Sequence, residues 1–479
     1  MLIASTIVSL AAGLLLAQPA IPSSPRKLSY KPLDWKVPSG SPYRKTLPNG
    51  LKLYIAEDKS LPLIELSGYV YGGTLNDPQG KEGLTALAIN LMRTGGTVKF
   101  RADSLDALID LLAIKIGLAP DESNIGFSCS FLSEFTDSAL MILSQVLFQP
   151  TFEKEKIEKE RAIFLENIKH RFDNPPPILD IAYDKALYPH ELNSRITTEK
   201  SIKAITRNDL LALHKRFFRT ENMILAVSGK FNADTFALKL DKLFPKAVSS
   251  QHDSLVVNIA PAPKDRCLIV HKQISQCYIR LGLPLFKRPN PDYYAVSVLD
   301  QILGGDSFTS RLGSKIRSDE GLTYSIYSSA ESNYIYPATY MITFFTKTET
   351  AAKAIDLIDK EVLKMRDSGV TDAELKDAKQ VLIESFPAMF RTPYDIVKNY
   401  AFNEYYARSP EHFKHYPDSI HAVSKDDVKR MAQKYLDPAR FTYVVVGDTS
   451  AIFKHDSSGA FSFSKLAPHI TSPDSLSKL

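Results

Sequence analysis

Cysteine is scarce in this sequence, and no excess of one charge stands out. The 479 residues include three cysteines, and the spacing of Cys129, Cys267 and Cys277 fits neither a disulfide framework nor a zinc knuckle. We interpret them as strand or core residues, with a bridge between Cys267 and Cys277 left open for an oxidising compartment. The net charge of +5 comes from interleaved basic and acidic residues, which argues against nucleic acid as the main partner.

Long apolar runs are absent after the first twenty residues. Segment 1–20, MLIASTIVSLAAGLLLAQPA, is apolar from Leu2 to Ala17 but short for a membrane span, which predicts a secretory signal peptide. An uncleaved N-terminal anchor is the alternative. No later segment approaches spanning length, so we expect no stable membrane span after cleavage. The pattern indicates an exported protein, periplasmic or extracellular.

The rest of the sequence divides at stretches rich in Pro and Ser. Segment 21–45 predicts an extended lead-in, and segment 249–264 predicts a linker near the middle of the chain. They separate an N-terminal half, 46–248, from a C-terminal half, 265–450. The Ser-rich remainder, 451–479, has little periodicity and is expected to be a loosely held tail.

The two halves repeat one pattern. ITRNDLLALHKRFFRTENMILAVSGK parallels VSKDDVKRMAQKYLDPARFTYVVVGD, each with an N-cap (Thr206 or Ser424), an amphipathic helix and an apolar strand closed by glycine. KIEKERAIFLENI pairs with ELKDAKQVLIESF, both predicted helical, and apolar strands are predicted at Leu63 to Tyr71 and Leu322 to Ser329. This pattern predicts an α+β fold built from a tandem duplication.

Three segments resemble the insulinase and mitochondrial-processing-peptidase family of zinc peptidases. They are LPNGLKLYIAEDKSLPLIELSGYVYGGTLNDPQGKEGLTALAINLMRTGGT, ERAIFLENI and LGGDSFTSRLGSKIRSDEGLTYSIYS, in the family's order between Thr46 and Gly447. The resemblance implies tandem α/β-sandwich domains that form a clam-like chamber with a second, similar chain. It also implies hydrolysis of peptides inside that chamber.

The family's metal-binding motif is missing here. The family binds zinc through H-x-x-E-H, in which two histidines on one helix face hold the metal and the glutamate is the general base. The matching positions are Ala86, Ile89 and Asn90, none of which can do this work. A register shifted by one residue gives Leu87, Asn90 and Leu91, which is no better.

The fourth position of the family's site is a glutamate on a later helix that completes the metal site, and it falls on Asn167, a neutral and poor zinc ligand. Its neighbour Glu166 points about 100° round the helix, and we expect no histidine beside it. The first of the ten histidines is His170, and the helix from Gly83 to Met92 is apolar almost all round, as in a buried packing helix. The resemblance therefore implies no metal or cofactor in this chain and zinc in a partner.

The family's C-terminal motif is intact. Arg317 and Tyr324 match the arginine and tyrosine that bind the substrate backbone and stabilise the oxyanion, and the resemblance implies both roles for them. Gly321 can end the helix that carries Arg317 and turn the chain into the strand that carries Tyr324. The structural alternative makes Tyr324 a core aromatic, in line with Leu322 and Ile326, and Arg317 a solvated charge at a helix end. As a pair at the family spacing, they favour function.

These observations predict a subunit that binds no zinc and is inactive alone. It would supply Arg317 and Tyr324 to peptide substrates in a site completed by a homologous partner that bears zinc and H-x-x-E-H. The alternatives are a stand-alone peptide-binding or chaperone-like protein and a purely structural subunit, like the core subunits of respiratory complexes. Neither His190 nor His412 has metal-ligand spacing, and both are expected at the surface.

Overall fold

Residues 35–249, 251–253, 255, 257–456 and 460–478 are described by the structure, a computed structural model. From Val37 onward they form one compact unit. The predicted signal peptide, 1–20, lies outside the described residues. Among the helices that are described, none is long and apolar enough to cross a membrane.

The N-terminal half alternates groups of strands with groups of helices. Its elements are, in chain order, β1 (Arg44–Thr46), β2 (Lys52–Glu57), β3 (Leu63–Tyr71), α1 (Leu84–Thr94), α2 (Ala102–Leu111), β4 (Lys115–Pro120), β5 (Asn124–Leu132), α3 (Thr136–Phe148), α4 (Lys154–His170), α5 (Pro175–Leu187), α6 (Glu199–Ala204), α7 (Arg207–Phe217), β6 (Met223–Gly229) and α8 (Ala233–Leu243).

The C-terminal half follows the same plan, with one π-helix at Gly313–Asp319. Its other elements are β7 (Cys267–His271), β8 (Gln276–Pro284), α9 (Tyr293–Leu303), β9 (Ile326–Ala330), β10 (Thr339–Lys347), α10 (Ala351–Ser368), α11 (Asp372–Ser385), α12 (Pro393–Tyr405), α13 (His412–Ala422), α14 (Lys425–Tyr435), β11 (Thr442–Gly447), α15 (Thr449–Lys454) and β12 (His469–Thr471).

Two mixed sheets of six strands have matching topologies. Their strand orders are β1-β2-β6-β3-β5-β4 and β12-β7-β11-β8-β10-β9. The parallel pair β2–β6 of the first sheet corresponds to β7–β11 of the second, and the next three neighbours are antiparallel in both. The predicted α+β fold with a tandem duplication is therefore confirmed.

The repeated helix and strand form for the same local reasons in both halves. Thr206 accepts a hydrogen bond from the backbone N–H of Asp209, whose carboxylate in turn accepts one from the N–H of Thr206. Ser424 and Asp427 make the same reciprocal cap. Each helix thereby satisfies backbone donors that its first turn leaves free. The strand that follows is fully buried in both halves, so nonpolar residues line both of its faces.

Each half buries its own apolar core between its sheet and helices, and the halves are then joined by exchanged helices. Helix α5 of the N-terminal half packs on β11, β8 and β7 of the second sheet, and α12 of the C-terminal half packs on β6, β2 and β3 of the first. At Gly282 on β8, a Cβ atom would lie 2.1 Å from the Tyr183 hydroxyl, so glycine allows α5 to approach the sheet. That hydroxyl donates to Thr339 Oγ1 at 2.9 Å.

The contact of α12 with the first sheet is largely aromatic and ionic. Tyr405 stacks on Tyr71 with ring centroids 4.3 Å apart, and its hydroxyl donates to the carbonyl of Ser123 at 2.8 Å. Glu404 accepts two hydrogen bonds from the Arg44 guanidinium, at 2.7 and 2.9 Å. Arg44 belongs to β1 and follows a 3-10 helix at Ser41–Tyr43, so regular secondary structure lies within the predicted lead-in, 21–45.

The C-terminal segment differs from the expected loose tail. Strand β12 pairs in parallel with β7 and occupies the edge of the second sheet, where β1 stands in the first. Phe463 and Leu476 are buried. The sequence pattern misses this segment because a three-residue edge strand is too short to show periodicity.

The three cysteines are free and buried in strands β5, β7 and β8, as their interpretation as strand residues requires. The bridge left open between Cys267 and Cys277 does not form, because β11 lies between their strands in the sheet. Within the predicted linker 249–264, the described residues form no helix or strand, and Ile259 is buried.

Carboxylates from both halves surround a cavity of about 280 Å³, among them Glu122, Asp184 and Glu331. Burial, together with the charges of Glu122 and Glu331, raises the pKa of Asp184 to about 7 from an ordinary value of 3.8. Between pH 3.8 and about pH 7, the Asp184 carboxyl therefore keeps its proton in the folded chain and releases it in the unfolded chain. The free energy of unfolding therefore falls as the pH rises through this window.

We expect Asp184→Asn to be more stable than the wild type above pH 7, by about 1–2 kcal/mol, and to have no advantage near pH 4. Urea denaturation at pH 4, 6 and 8 measures this difference. Asp180→Asn on the same helix is the control, because Asp180 pairs with Arg280 at 2.8 Å and should lose stability when neutralised. Equal stability of the Asp184→Asn variant and the wild type at pH 8 would contradict the prediction.

Candidate functional site

The positions that hold zinc in related peptidases lie where α1 packs against α4. Ala86 offers no ligand atom, Ile89 is 0% exposed within the core, and Asn90 is exposed. The Asn90 amide donates to Glu160 Oε1 on α4 at 3.1 Å, so it links the two helices. Asn167 is also exposed on α4. Among the described residues, no group of His, Cys, Asp and Glu is placed to hold a metal ion.

These residues do not fit a zinc ion, because an alanine and an isoleucine provide no ligands and an amide is a weak one. One sequence expectation is wrong in detail. His170 does reach Glu166, with Nε2 2.9 Å from Oε1, and its Nδ1 lies 2.7 Å from Asp173 Oδ2. The two carboxylates raise the pKa of this exposed histidine. The pair lies within one helical turn, where α4 ends, and indicates a surface ion pair.

Arg317 lies on the π-helix and is half-buried. Its guanidinium carbon stands 3.7 Å from the ring centroid of Phe308, and Nη1 is 3.5 Å from the Ser307 carbonyl oxygen. Phe308 is itself 64% exposed, so the pair forms a stacked surface rather than part of the core. Arg317 does lie in the last turn of its helix, as the structural alternative has it, but its guanidinium is half-buried against the Phe308 ring rather than freely solvated.

The segment that carries Arg317 is anchored where it begins, at two places. Asp306 Oδ1 accepts hydrogen bonds from the backbone N–H groups of Thr309 and Phe308, each at 2.8 Å, and these bonds lower the pKa of Asp306. Arg311 binds Glu374 on α11 through Nε at 2.6 Å and Nη2 at 2.9 Å. Such a bidentate pair fixes direction as well as distance.

Tyr324 projects into solvent from the turn before β9, with 81% of its surface exposed. Gly321 has a φ of +62°, the left-handed conformation that lets the chain turn after the π-helix. The Thr323 hydroxyl lies 2.7 Å from the carbonyl oxygen of Phe345 on β10 and thus anchors the turn. The alternative of a core aromatic is wrong. The predicted strand starts four residues later than expected, at Ile326.

Arg317 and Tyr324 lie seven residues apart, on the π-helix and on the turn that follows it. No hydrogen bond joins their side chains within the part of the chain that is described, and the Tyr324 hydroxyl has no protein partner there. Two directed donors on one anchored segment can hold an oxygen atom that gains negative charge.

The sequence did not predict a second cluster of polar side chains, which lines a cavity in the C-terminal half. His412, expected at the surface, is half-buried in a cavity that also contains Arg288 and Arg408. Burial and the charges of Arg408 and Arg288 lower the pKa of His412 to about 4, so the imidazole is neutral at pH 7. The lining residues are far apart in sequence, and no motif spacing signals that they meet.

Comparison with known proteins agrees with this geometry. Residues 64–199 match the family model described as Insulinase (Peptidase family M16), and residues 204–382 match Peptidase M16 inactive domain. The chain belongs to the M16 peptidase family. It is a homologue in which the three metal positions hold Ala86, Asn90 and Asn167 and the position of the general base holds Ile89.

M16 relatives of similar length and fold include proteins named as peptidases and as non-peptidases. A Helicobacter pylori protein named "Non-peptidase homolog YmxG" is 24% identical over 385 residues, covering 79% of this chain and 87% of that protein. The crystal structure of a peptidase M16 inactive domain from Pseudomonas fluorescens has a TM-score of 0.75 at 23% identity, over 85% of this chain and 98% of that chain.

The periplasmic protease PqqL from Escherichia coli is similar over 93% of this chain but 50% of its own length. Its TM-score is 0.70 at 14% identity, a level at which the likeness concerns the fold. The observed two-sheet fold is thus that of M16 proteins.

Proposed function

We propose that this chain is an exported M16 subunit that binds no zinc and works with a homologous, zinc-bearing partner. In this proposal Arg317 and Tyr324 bind the substrate peptide and stabilise the oxyanion that forms when its backbone is cleaved. The chain alone is inactive, and the reaction of the pair is hydrolysis of peptides. We also propose that residues 46–248 and 265–450 are the two homologous peptidase-like halves of the chain, the first without zinc ligands and the second with Arg317 and Tyr324.

The exposure of Tyr324 carries the proposal. A tyrosine kept for packing buries its ring and satisfies its hydroxyl, whereas this one presents both to solvent from an anchored turn. Arg317 supports it, since its only protein hydrogen bond within the described residues is long, at 3.5 Å, and leaves the other guanidinium donors free. Both side chains can therefore donate to a ligand without breaking a strong bond.

The chemistry divides between two chains in this proposal. Hydrolysis of a peptide needs a nucleophilic water, a base and donors for the carbonyl oxygen, and this chain offers the donors. The metal and the base would come from the H-x-x-E-H motif of the partner. Donors fixed in advance stabilise the developing charge without reorganisation, which is why an anchored arginine and tyrosine suit this role.

Export rests on the apolar segment 1–20 and on likeness to a protease named as periplasmic. The relative named as a non-peptidase homologue supports inactivity of the isolated chain. A stand-alone peptide-binding or chaperone-like role is the second candidate, favoured by the cavity around Arg288 and Arg408. A purely structural subunit would have no use for an exposed tyrosine and a free guanidinium on one anchored segment.

Hydrolysis of a quenched fluorogenic peptide tests the proposal. The purified chain is assayed with added zinc, first alone and then with a homologue from the same organism that has an intact H-x-x-E-H motif. We expect no turnover by the chain alone and chelator-sensitive turnover in the mixture above that of the homologue by itself. Peptide binding without any gain in turnover would favour the binding-protein role. Chelator-sensitive turnover by this chain alone would overturn the assignment.

A further inference from the structure

A cavity of about 470 Å³ in the C-terminal half is lined by arginines and aromatic rings. It lies between the loop after β8, the loop before β10 and the segment that joins α12 to α13. Two arginines, Arg288 and Arg408, and four tyrosines form most of its wall; the tyrosines are Tyr293, Tyr294, Tyr334 and Tyr406. The volume is in the range of small-ligand sites and accommodates one or two amino-acid residues.

Arg288 is buried without a counter-charge. The residue is 7% exposed, Nη1 donates to Ser332 Oγ at 3.0 Å, and Nε is buried with no hydrogen-bond partner. Its guanidinium carbon lies 3.4 Å from the ring centroid of Tyr293 and 4.8 Å from that of Tyr334. The aromatic faces stabilise the cation but accept none of its in-plane hydrogen bonds.

Arg408 is half-buried and also has no counter-charge among the described residues. Its side chain donates no hydrogen bond to any described residue, its Nε is buried, and the Tyr334 ring centroid is 4.2 Å from its guanidinium carbon. Burial and the neighbouring charge of Arg288 lower the pKa of Arg408, because two positive charges close together repel each other. Both guanidiniums lie near the Tyr334 ring, and the hydroxyl of Tyr334 is also buried without a partner.

Two other arginines with little side-chain exposure do have counter-charges. Arg311 binds Glu374, and Arg280 lies 2.8 Å from Asp180. Over the described residues, neither Arg288 nor Arg408 forms an ion pair with any carboxylate. A buried cation beside a half-buried one, with no anion to either, is costly, because burial of a charge needs a partner of opposite sign. The two guanidiniums therefore bring positive charge and unpaired donors to one cavity, which are the features that bind an anion.

We propose that this cavity binds the C-terminal carboxylate of a peptide. The guanidiniums of Arg288 and Arg408 and the Tyr334 hydroxyl would supply donors to the carboxylate, and the tyrosine rings would contact the terminal side chain. Aromatic walls favour an anion that carries an apolar body over a small hydrated ion. The inference rests on the proposed handling of peptides and gives the chain a second contact with its substrate, apart from Arg317 and Tyr324.

Binding of matched peptides to the whole chain without a partner tests this inference. The probes are one N-acetylated, fluorescently labelled pentapeptide that ends in leucine, with either a free carboxylate or an amide, measured by anisotropy. We expect the free carboxylate to bind at least about ten-fold more tightly, as charge-assisted hydrogen bonds predict. Arg408→Gln should remove this preference, and Tyr334→Phe should reduce it several-fold.

The controls separate binding from folding. Tyr334→Phe removes a hydroxyl without a partner, so the variant should fold at least as well as the wild type. Arg266→Gln replaces another arginine that lies over a tyrosine, with its guanidinium carbon 6.0 Å from the ring centroid of Tyr443, and should leave the preference unchanged. Thermal melts of each variant check its fold.

Equal binding of the acid and the amide would overturn the inference. So would an unchanged preference for the acid in both Arg408→Gln and Tyr334→Phe. Displacement of the peptide by millimolar inorganic phosphate alone would also overturn it, because it would indicate a site for free anions. A negative result for carboxylate binding can be told apart from a negative result for the proposed function. This measurement needs no partner and no turnover, whereas the function depends on partner-dependent hydrolysis through Arg317 and Tyr324.

Discussion

The double variant Arg317→Ala, Tyr324→Phe is expected to lower partner-dependent peptide hydrolysis by about a hundred-fold to a thousand-fold or more. Removal of a single oxyanion donor from a hydrolase typically costs about that much in kcat, and this variant removes two. The effect should fall mainly on kcat, because donors aimed at the developing charge act more strongly in the transition state than on the bound peptide. Steady-state kinetics of the mixed chains measures the change.

Stability should be unaffected by the double variant, because Tyr324 is 81% exposed and Arg317 makes one long hydrogen bond. Thermal melting and size-exclusion chromatography with the partner check the fold and the assembly. Tyr327→Phe is a matched control, an exposed tyrosine at the start of β9 that the proposal leaves without a role. Unchanged hydrolysis in an intact assembly of the double variant would falsify the substrate role.

Glu374→Gln is expected to lower the free energy of unfolding by about 2–3 kcal/mol at pH 7. Breaking a buried ion pair costs about 3–5 kcal/mol, and the partial exposure of Glu374 reduces that figure. The substitution leaves Arg311, whose side chain is 11% exposed, without its counter-charge. It also weakens the cap of α11, since Glu374 accepts hydrogen bonds from the backbone and side chain of Thr371.

The pH dependence of this variant provides a second readout. Burial raises the pKa of Glu374, but hydrogen bonds from Arg311 and Thr371 outweigh it and lower the pKa to about 2, from an ordinary value of 4.5. The carboxylate therefore stabilises the wild type above pH 4.5, and this contribution is lost as the pH falls towards 2. The difference between Glu374→Gln and the wild type should shrink over that window. Urea denaturation at pH 3, 4.5 and 7 measures it.

Activity should fall as well in the Glu374→Gln variant, at a temperature where it remains folded. Arg311 anchors the start of the segment that carries Arg317, and without Glu374 the guanidinium of Arg317 loses a fixed position relative to substrate. Glu384→Gln, an exposed position on the same helix, is the control and should match the wild type in both measurements. Equal melting temperatures for the two variants would show that the ion pair stabilises nothing.

The sequence predicts the duplicated fold well because both halves carry the same local signals. The caps at Thr206 and Ser424, and the strand Leu63–Tyr71, appear in the structure as expected. These features depend on neighbours in sequence. Strand β12 was missed because its stability comes from pairing with β7 rather than from its own residues.

The candidate site was predicted in part. Family spacing identified Arg317 and Tyr324, but alternation along the chain could equally have buried Tyr324. The turn at Gly321 and the anchor at Thr323, both tertiary features, are what expose it. The cavity around Arg288 and Arg408 was not predictable, since residues more than a hundred positions apart meet there through packing alone.

The exchange of helices between the halves constrains how the chain is made. The first sheet is covered on one side by α12, whose residues 393–405 are translated long after that sheet is complete. Until they leave the ribosome, the nascent N-terminal half exposes β2, β3 and β6 and is open to aggregation or chaperone capture. Each half has its own apolar core, but the sheet of each is also covered by a helix of the other, so a chain that stops between the halves leaves the α12-covered face of the first sheet bare.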